Sequence, residues 1–434
     1  MEEKMISGYL PDERPPIWKM ILFALQQILV MFPATVLVAL LTGFHISTTL
    51  FASGLATLCF LLITRRKIPL FYGSSFSYIT AIVAITGVKE LGQVAPDSLI
   101  SQAQFGIIAS GFISILAGVL VKKFGKDKVD KVLPPTITGS IAIVIGLSLT
   151  ATAMGNASAH WEVALVTLLA TVIFSVFLRG TFGQLSILFG IILGYVISIP
   201  LGLVNFGAIA AAPIVTAPHF TLPTWSWSAM LAIMPIAIAT IPESSAHLFQ
   251  LDLYVNDLAR KLKRNKSYDI SDRLGQNLIG DGIGDIVSAL VGGPAGTNYG
   301  ENLSTMAITR NFSSAVLIAA AIITIVMSFF GNLSAMVLSI PGAVIGGISI
   351  YLFGVIGVQG VAIMISNTVD LFNTKNLAIV STILTIGLGG TFAFPGGLIP
   401  IFGAKLPAIA TAAVFGIVLN LILNFSSFLG KKKI

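Results

Sequence analysis

Apolar runs of about 18–24 residues recur from Trp18 to Phe428, each long enough to cross a ~30 Å hydrocarbon core as a helix. A chain built this way must hydrogen-bond its own backbone within the bilayer, which makes helices the main element. Of its 434 residues 55% are hydrophobic and only 10% charged, and the mean hydropathy is +0.94. A soluble domain carries about 25% charged residues. The expectation is an all-α polytopic membrane protein.

The spans are expected near Trp18–Leu41, Thr48–Ile63, Phe105–Val121, Leu133–Ala153, Trp161–Leu178 and Leu185–Val204. A second series covers Trp225–Leu248, Ala315–Leu338, Val344–Ile365, Leu377–Leu388 and Leu406–Phe428. A weaker helix containing Gly and Asp runs between Arg273 and Val291. Two further segments are apolar but interrupted, "IPLFYGSSFSYITAIVAITG" from Ile68 and "TNYGENLSTMAITR" from Thr297 to Arg310. Together they make fourteen segments, of which the stretch from Thr297 to Arg310 is too short to cross a bilayer as a helix.

Basic residues orient that count. With the N-terminus inside, of 25 Lys and Arg only Lys89 and Lys405 fall on the outer side, the asymmetry that a cytoplasmic location of the basic loops demands. Both termini are therefore expected in the cytoplasm and the protein in the plasma (inner) membrane. The net charge of +7 sits in these loops, so it argues for topology and membrane lipid rather than nucleic acid. Cys59 is the single cysteine, which excludes an intrachain disulfide and a thiolate metal cluster. With four His, mostly in loops or packing positions, no metal site is expected either.

The interrupted segments stand third in each half of seven, at "YGSSFSYITAI" from Tyr72 and "YGENLSTMAIT" from Tyr299. Seven is odd, so the second half enters from the opposite side and the halves form an inverted repeat. The expected division is a tail over 1–17, a first repeat over 18–217, a second over 218–428 and a basic C-terminus over 429–434. Non-helical backbone at membrane depth is tolerated where it lines an enclosed cavity, and opposed half-helix N-termini make a polar cradle there. Segments 3 and 10 are accordingly expected to be short extended stretches leading into half-helices. Tyr72, Phe76 and Tyr299 offer flat faces to a planar ligand, and Gly73 and Gly300 allow close approach.

No Asp, Glu, Lys or Arg occurs from Gly180 to Pro242; then Glu243 appears, with His247 one helical turn on. An intramembrane carboxylate is costly unless paired, protonated or facing water, so these are candidates for substrate or proton handling. A structural ion pair between Glu243 and His247 is the competing reading. Asp281 and Asp285, also one turn apart, are either structural or part of an inner proton route. Pro235 and Pro242 are expected to bend or open the eighth span.

These residues resemble the nucleobase–ascorbate transporter family. "YGENLSTMAITR" is similar to its signature, with Glu301, Asn302, Thr309 and Arg310 matching and Ser304 in place of the usual Gly. "FYGSSFSYI", "ESSAHL", "MFPATVLV" and "IPGAVIGGISIYLFGVIG" also resemble family segments, and the likeness runs from about Trp18 to the C-terminus. A carboxylate followed by Asn resembles the uracil branch rather than the xanthine, urate or ascorbate branches.

The resemblance implies a fourteen-segment fold with a core domain (segments 1–4 and 8–11) moving against a gate domain (5–7 and 12–14), which also forms a homodimer. It implies import of a nucleobase, uracil first, with a proton or, in some members, sodium; purines such as xanthine remain alternatives. By the same resemblance Glu243 accepts hydrogen bonds from the ring N–H groups, Glu301 is the second substrate carboxylate, and His247 is coupled to it in proton transfer. Phe76 and Gly300 match residues whose backbone amides bind ring carbonyls, and Ala34, Tyr299 and Phe353 match pocket walls. Gln27, Ser75, Asp281, Asn302 and Thr309 are secondary candidates. Gln27 stands where the family commonly has His, and glutamine cannot titrate.

No phosphate-binding Gly-rich loop precedes a lysine, so an ion gradient is the expected energy source, with no bound cofactor. Protonating a buried carboxylate removes the cost of its charge, so Glu301 or Glu243 can take up proton and substrate together. A membrane enzyme would need a nucleophile–base pair, and a channel a continuous polar lining. An anion exchanger is the stronger rival, although two carboxylates repel an anion unless protonated.

Overall fold

The computed structural model describes residues 7–125, 131–401 and 404–424. The expected C-terminal segment 429–434 and residues 1–6 of the tail lie outside these. Among the described residues seven helices are long and apolar enough to cross a membrane: Ile17–Thr42, Ile46–Ile63, Asp97–Phe124, Pro135–Ala157, Trp227–Lys261, Gly342–Ser366 and Thr374–Ala393. Five shorter apolar helices accompany them, Phe76–Thr86, Trp161–Phe177, Ser186–Ser198, Ser314–Met327 and Ala408–Leu423. Leu274–Leu290 is helical as well, with its Gly and Asp residues facing inward.

Small residues decide how these helices pack. A methyl added to Gly111 would lie 2.5 Å from the Gly282 carbonyl, and one on Gly282 would lie 2.3 Å from the Gly111 carbonyl. Seven residues, about two helical turns, further along, Gly118 and Gly275 meet in the same way. This seam brings the helix Asp97–Phe124 against Leu274–Leu290 at backbone contact distance, the close approach that membrane helices use where no hydrophobic driving force separates them from lipid. A second seam joins Pro135–Ser148 to Gly342–Ser366 through Gly139 with Gly360 and Gly146 with Gly357. Outward, large apolar side chains such as Phe177, Leu253 and Ile422 are exposed, as a lipid-facing surface requires.

Several expected spans differ from the observed ones, each for a local reason. The run Ala315–Leu338 is broken into Ser314–Met327 and Gly331–Leu338. At the break, the chain from 214 to 216 supplies partners: Thr216 N–H donates to the Phe329 carbonyl at 2.8 Å and Gly331 N–H to the Ile214 carbonyl at 3.2 Å. In the eighth span Pro235 sits in a 3-10 turn, Met234–Ile236, between Trp227–Ile233 and Ala237–Lys261. Pro242 lies inside the last of these without ending it. After Thr374–Leu384 the Gly-rich "TIGLG" widens into a π-turn.

The structure also departs from an all-α reading. Strands β1 (Tyr72–Ser74) and β2 (Gly296–Asn298) were expected as extended stretches, but the antiparallel hairpin of β3 (Leu398–Ile401) with β4 (Ala404–Pro407) was not. Residues 7–16 are not a loose leader. Tyr9 N–H donates to the Arg310 carbonyl and Phe312 N–H to the Tyr9 carbonyl, both at 2.8 Å. Leu10 is buried, Glu13 pairs with Arg264 at 2.8 Å, and Asp12 with Lys266.

Replacing Gly282 by Leu is expected to separate the first seam and lower the thermal midpoint of the detergent-solubilised protein, a cost of about 1–3 kcal/mol for overpacking. Gly155→Ala, whose added methyl meets open space, should leave the midpoint unchanged or slightly raised. Equal midpoints for Gly282→Leu and the unmodified chain would count against backbone contact as the basis of this packing.

Candidate functional site

The two interrupted segments meet. β1 pairs antiparallel with β2, Tyr72 opposite Asn298, Gly73 opposite Thr297 and Ser74 opposite Gly296. The ladder continues with Ser75 N–H donating to the Ala295 carbonyl and Tyr299 N–H to the Phe71 carbonyl, each at 3.0 Å. Glycine is needed on both sides of the crossing. A methyl on Gly73 would lie 2.5 Å from the Tyr299 ring, and one on Gly296 would lie 2.2 Å from the Tyr72 ring. Each strand then turns into helix: the turn Phe76–Tyr78 with Ile79–Thr86, and Gly300–Thr309. Two helix N-termini thus start beside one another at the crossing, with free amides and positive dipole ends.

Beneath the crossing is a bonded acidic layer. The Tyr72 hydroxyl donates to Asp285 Oδ1 at 2.7 Å, and Gly296 N–H donates to the same oxygen at 2.8 Å. Asn298 Nδ2 donates to Asp281 Oδ1 at 2.7 Å, Ser244 Oγ donates to Asp281 Oδ2, and Asn277 Nδ2 donates to Ser244 Oγ at 2.6 Å. Thr57 and Ser53 hydroxyls hold the Tyr72 carbonyl at 3.0 and 2.8 Å. Asp281 and Asp285 are therefore hydrogen-bonded to both strands. Tyr72 does not present a flat face to a ligand: it is buried, its ring packs on Gly284 and Gly296, and it stacks on Phe60.

Above the crossing the acids are placed differently. Glu301 is in the first turn of the half-helix Gly300–Thr309. Glu243, from the helix Ala237–Lys261, lies beside Ser77 and close enough to Glu301 for the two charges to interact. No ion pair among the described residues joins Glu243, Glu301 or His247, so the structural Glu243–His247 pair is not formed. His247 packs instead on Gly300, where a methyl would come within 2.8 Å of its Nε2, while its Nδ1 is buried without a hydrogen-bond partner.

The remaining candidates divide. Phe76 and Phe353 meet edge to face with ring centroids 6.3 Å apart, so a half-helix and the long helix Gly342–Ser366 face each other here. Tyr299 is fixed by its hydroxyl, which donates to the Ser74 carbonyl at 2.8 Å and meets Thr35 Oγ1 at 3.0 Å. Ala34, next to Thr35, is buried. Asn302 Nδ2 donates to Gln27 twice, to its carbonyl at 2.9 Å and to Oε1 at 2.8 Å. Gln27 thus anchors the half-helix. Ser75 caps its own turn through Ser77 N–H at 3.3 Å. Thr309 is not brought to the site. It lies nine residues along the half-helix, about 13 Å from Gly300, and its hydroxyl returns to the Thr305 carbonyl at 2.8 Å. Sequence reasoning gives no role to the network partners Ser244, Asn277 and Asn298, although Ser244 lies within "ESSAHL", Asn298 within "TNYGENLSTMAITR", and Asn277 one turn before Asp281.

A family model described as the Permease family (Xan_ur_permease) matches residues 18–396. The chain belongs to this family, the nucleobase–ascorbate transporters. It is 38% identical over 428 residues to the uracil permease of Bacillus caldolyticus, covering 95% of this chain and 94% of that one. It is 35% identical over 443 residues to the uracil permease of Bacillus subtilis, covering 98% and 96%. Among solved structures, the transmembrane domain of the cyanobacterium bicarbonate transporter BicA has a TM-score of 0.52 at 15% identity, covering 93% of this chain and 96% of that one. The murine Solute Carrier 26 anion transporter A9, in its inward-facing state, has a TM-score of 0.64 at 11% identity, covering 98% and 74%. At these identities the solved structures share the fold alone. This nucleobase–ascorbate transporter is thus a multi-pass membrane protein and a permease, not an enzyme.

In this transporter Tyr72→Phe should leave Asp285 short of a buried donor and lower stability by about 1–3 kcal/mol, measured by thermal denaturation in detergent. Asp285→Ala should also lower it, and the double variant should cost less than the sum, because both remove the Tyr72–Asp285 bond. Additive losses would mean the two side chains stabilise the crossing independently.

Proposed function

We propose that this transporter carries a nucleobase, uracil first, across the plasma membrane in symport with a proton. The observation that carries the reading is the convergence of Glu243 and Glu301, neither in an ion pair, with two half-helix N-termini at one crossing. A pyrimidine ring alternates N–H donors with carbonyl acceptors. Its N–H groups suit Glu243 and Glu301, and its carbonyl oxygens suit the backbone amides of Phe76 and Gly300. Phe76, Phe353, Tyr299 and Ala34 are the proposed walls. The two Bacillus relatives, both uracil permeases, point to the same substrate.

Proton coupling follows from charge. Two unpaired carboxylates near one site repel each other, and a proton on either one lets the neutral base approach and its N–H groups find an acceptor. His247, with its unpartnered Nδ1 and its contact with Gly300, is the proposed relay. An anion would meet both carboxylates unfavourably, which disfavours an exchanger on this fold.

The movement we propose is of a core domain (segments 1–4 and 8–11) against a gate domain (5–7 and 12–14), within fourteen segments arranged as inverted repeats with both termini cytoplasmic. Helix pairing supports it. Asp97–Phe124 packs on Leu274–Leu290 as Ser314–Met327 packs on Ile46–Ile63, with Gly54 against the Ala321 carbonyl. These pairs exchange when segment numbers are shifted by seven, and β1 with β2 lies on the exchange axis. The gate domain is the proposed homodimer face.

In proteoliposomes, an inwardly directed pH gradient alone should drive accumulation of labelled uracil. Accumulation that requires sodium would overturn proton coupling, and preference for xanthine across a nucleobase panel would overturn the substrate. Glu243→Gln should weaken uracil binding roughly 10- to 100-fold, as expected for losing a hydrogen bond to a charged acceptor, whereas wild-type binding would remove Glu243 from the site.

A further inference from the structure

His45, Asp97 and His219 are distant in sequence and come together at one end of the molecule. His45 precedes the helix Ile46–Ile63, Asp97 opens the helix Asp97–Phe124, and His219 belongs to the non-helical stretch before Trp227–Ile233. Those two helices, of 18 and 28 residues, run to Arg65–Arg66 just beyond Ile63 and to Lys122–Lys123, so the cluster lies a helix length of about 27–42 Å from the basic loops, at the opposite face. His219 Nε2 is 2.9 Å from Asp97 Oδ2, His45 Nε2 is 3.8 Å from Asp97 Oδ1, and the imidazole centroids are 4.4 Å apart. One donor atom from each residue lies within 4.8 Å of the other two.

Two features suit this cluster to a ligand. Its backbone is held independently of the rings: Thr48 Oγ1 donates to the His219 carbonyl at 2.7 Å, and Gln104 and Thr221 exchange hydrogen bonds at 2.8 and 2.9 Å. One ring nitrogen is also left over. His45 Nε2 is buried without a hydrogen-bond partner, while Asp97 and His219 are exposed enough for an ion to enter. A single carboxylate between two imidazoles satisfies only one of them.

We propose that His45, Asp97 and His219 form a binding site for a divalent transition metal of the zinc class. Two imidazole nitrogens, one carboxylate oxygen and a water complete a tetrahedral zinc shell with bonds of about 2.0–2.2 Å and donors about 3.3 Å apart. The observed separations bracket this value, at 2.9 Å from His219 and 3.8 Å from His45 to the Asp97 carboxylate, so side-chain rotation has to widen one and shorten the other. Bound metal would fasten the stretch joining the two halves of the chain to the starts of two helices. This claim is independent of the transported substrate and of the coupling ion.

The test uses the full chain in detergent with any polyhistidine tag removed. Titration with ZnCl2 should show one saturable site per chain and a rise in thermal midpoint. Co2+ should give a visible tetrahedral absorption band that Zn2+ bleaches. Loss of groups that merely orient a metal ligand weakens binding about 10–100-fold, so His219→Ala and His45→Gln should each weaken Zn2+ at least about 10-fold. His160→Ala, which removes an imidazole outside the cluster that sits beside Glu162, should leave binding unchanged. Metal-free midpoints report whether each variant folds. Non-saturable binding, or wild-type Zn2+ affinity in a folded His219→Ala protein, would overturn the proposal in favour of a simple imidazole–carboxylate hydrogen bond. Should His219→Ala not fold, absence of the Co2+ band in the unmodified chain overturns it equally.

Discussion

Backbone that leaves the helix within a membrane has to find its hydrogen-bond partners inside the protein, and the crossing of β1 and β2 is where this chain does so. Three paired residues and two flanking bonds satisfy both extended stretches. Everything at the site depends on that pairing. It aims two half-helix N-termini at one place, sets Phe76 against Phe353, and carries Glu301 in on the first turn of its helix. It is also why the glycines cannot be exchanged, because each strand lies against an aromatic ring of the other.

The acids around the crossing fall into two layers with different physics. Asp281 and Asp285 accept hydrogen bonds from Ser244, Asn298, Tyr72 and the Gly296 amide, which ties them to the strand crossing. Glu243 and Glu301 are left without a counter-ion among the described residues. A buried charge without a partner is expensive unless it can be neutralised or given a ligand. That contrast separates acids bonded into the strand crossing from acids left without a counter-ion.

Much of this was legible from residue patterns. Tyr-Gly at 72–73 and again at 299–300, each before a helix start, marked two interrupted segments in matching places, and lone carboxylates in apolar runs marked Glu243 and Glu301. What stayed hidden was the partner of each polar group. Tyr72 and Tyr299 look alike in sequence, yet one hydroxyl serves Asp285 and the other the Ser74 carbonyl and Thr35. Gln27 reads as a lost histidine, but in the fold it receives Asn302. Thr309 matches a motif and still ends up a helix length from the site, because a half-helix carries its own C-terminal residues away from its N-terminal ones.

Hydropathy and period alone determined that the chain is a helical membrane protein, where its interruptions lie and which acids stand in apolar surroundings. These are properties of neighbours along the chain, so the linear order contains them. Only the tertiary structure decided that β1 pairs with β2 in register, that Asp281 and Asp285 are bonded to both strands while Glu243 and Glu301 have no counter-ion among the described residues, and that the His45 and His219 rings meet beside Asp97. Those are contacts between residues up to about two hundred positions apart. Loop closure over such distances depends only weakly on length, so chain separation says almost nothing about which groups will meet, and packing alone selects them.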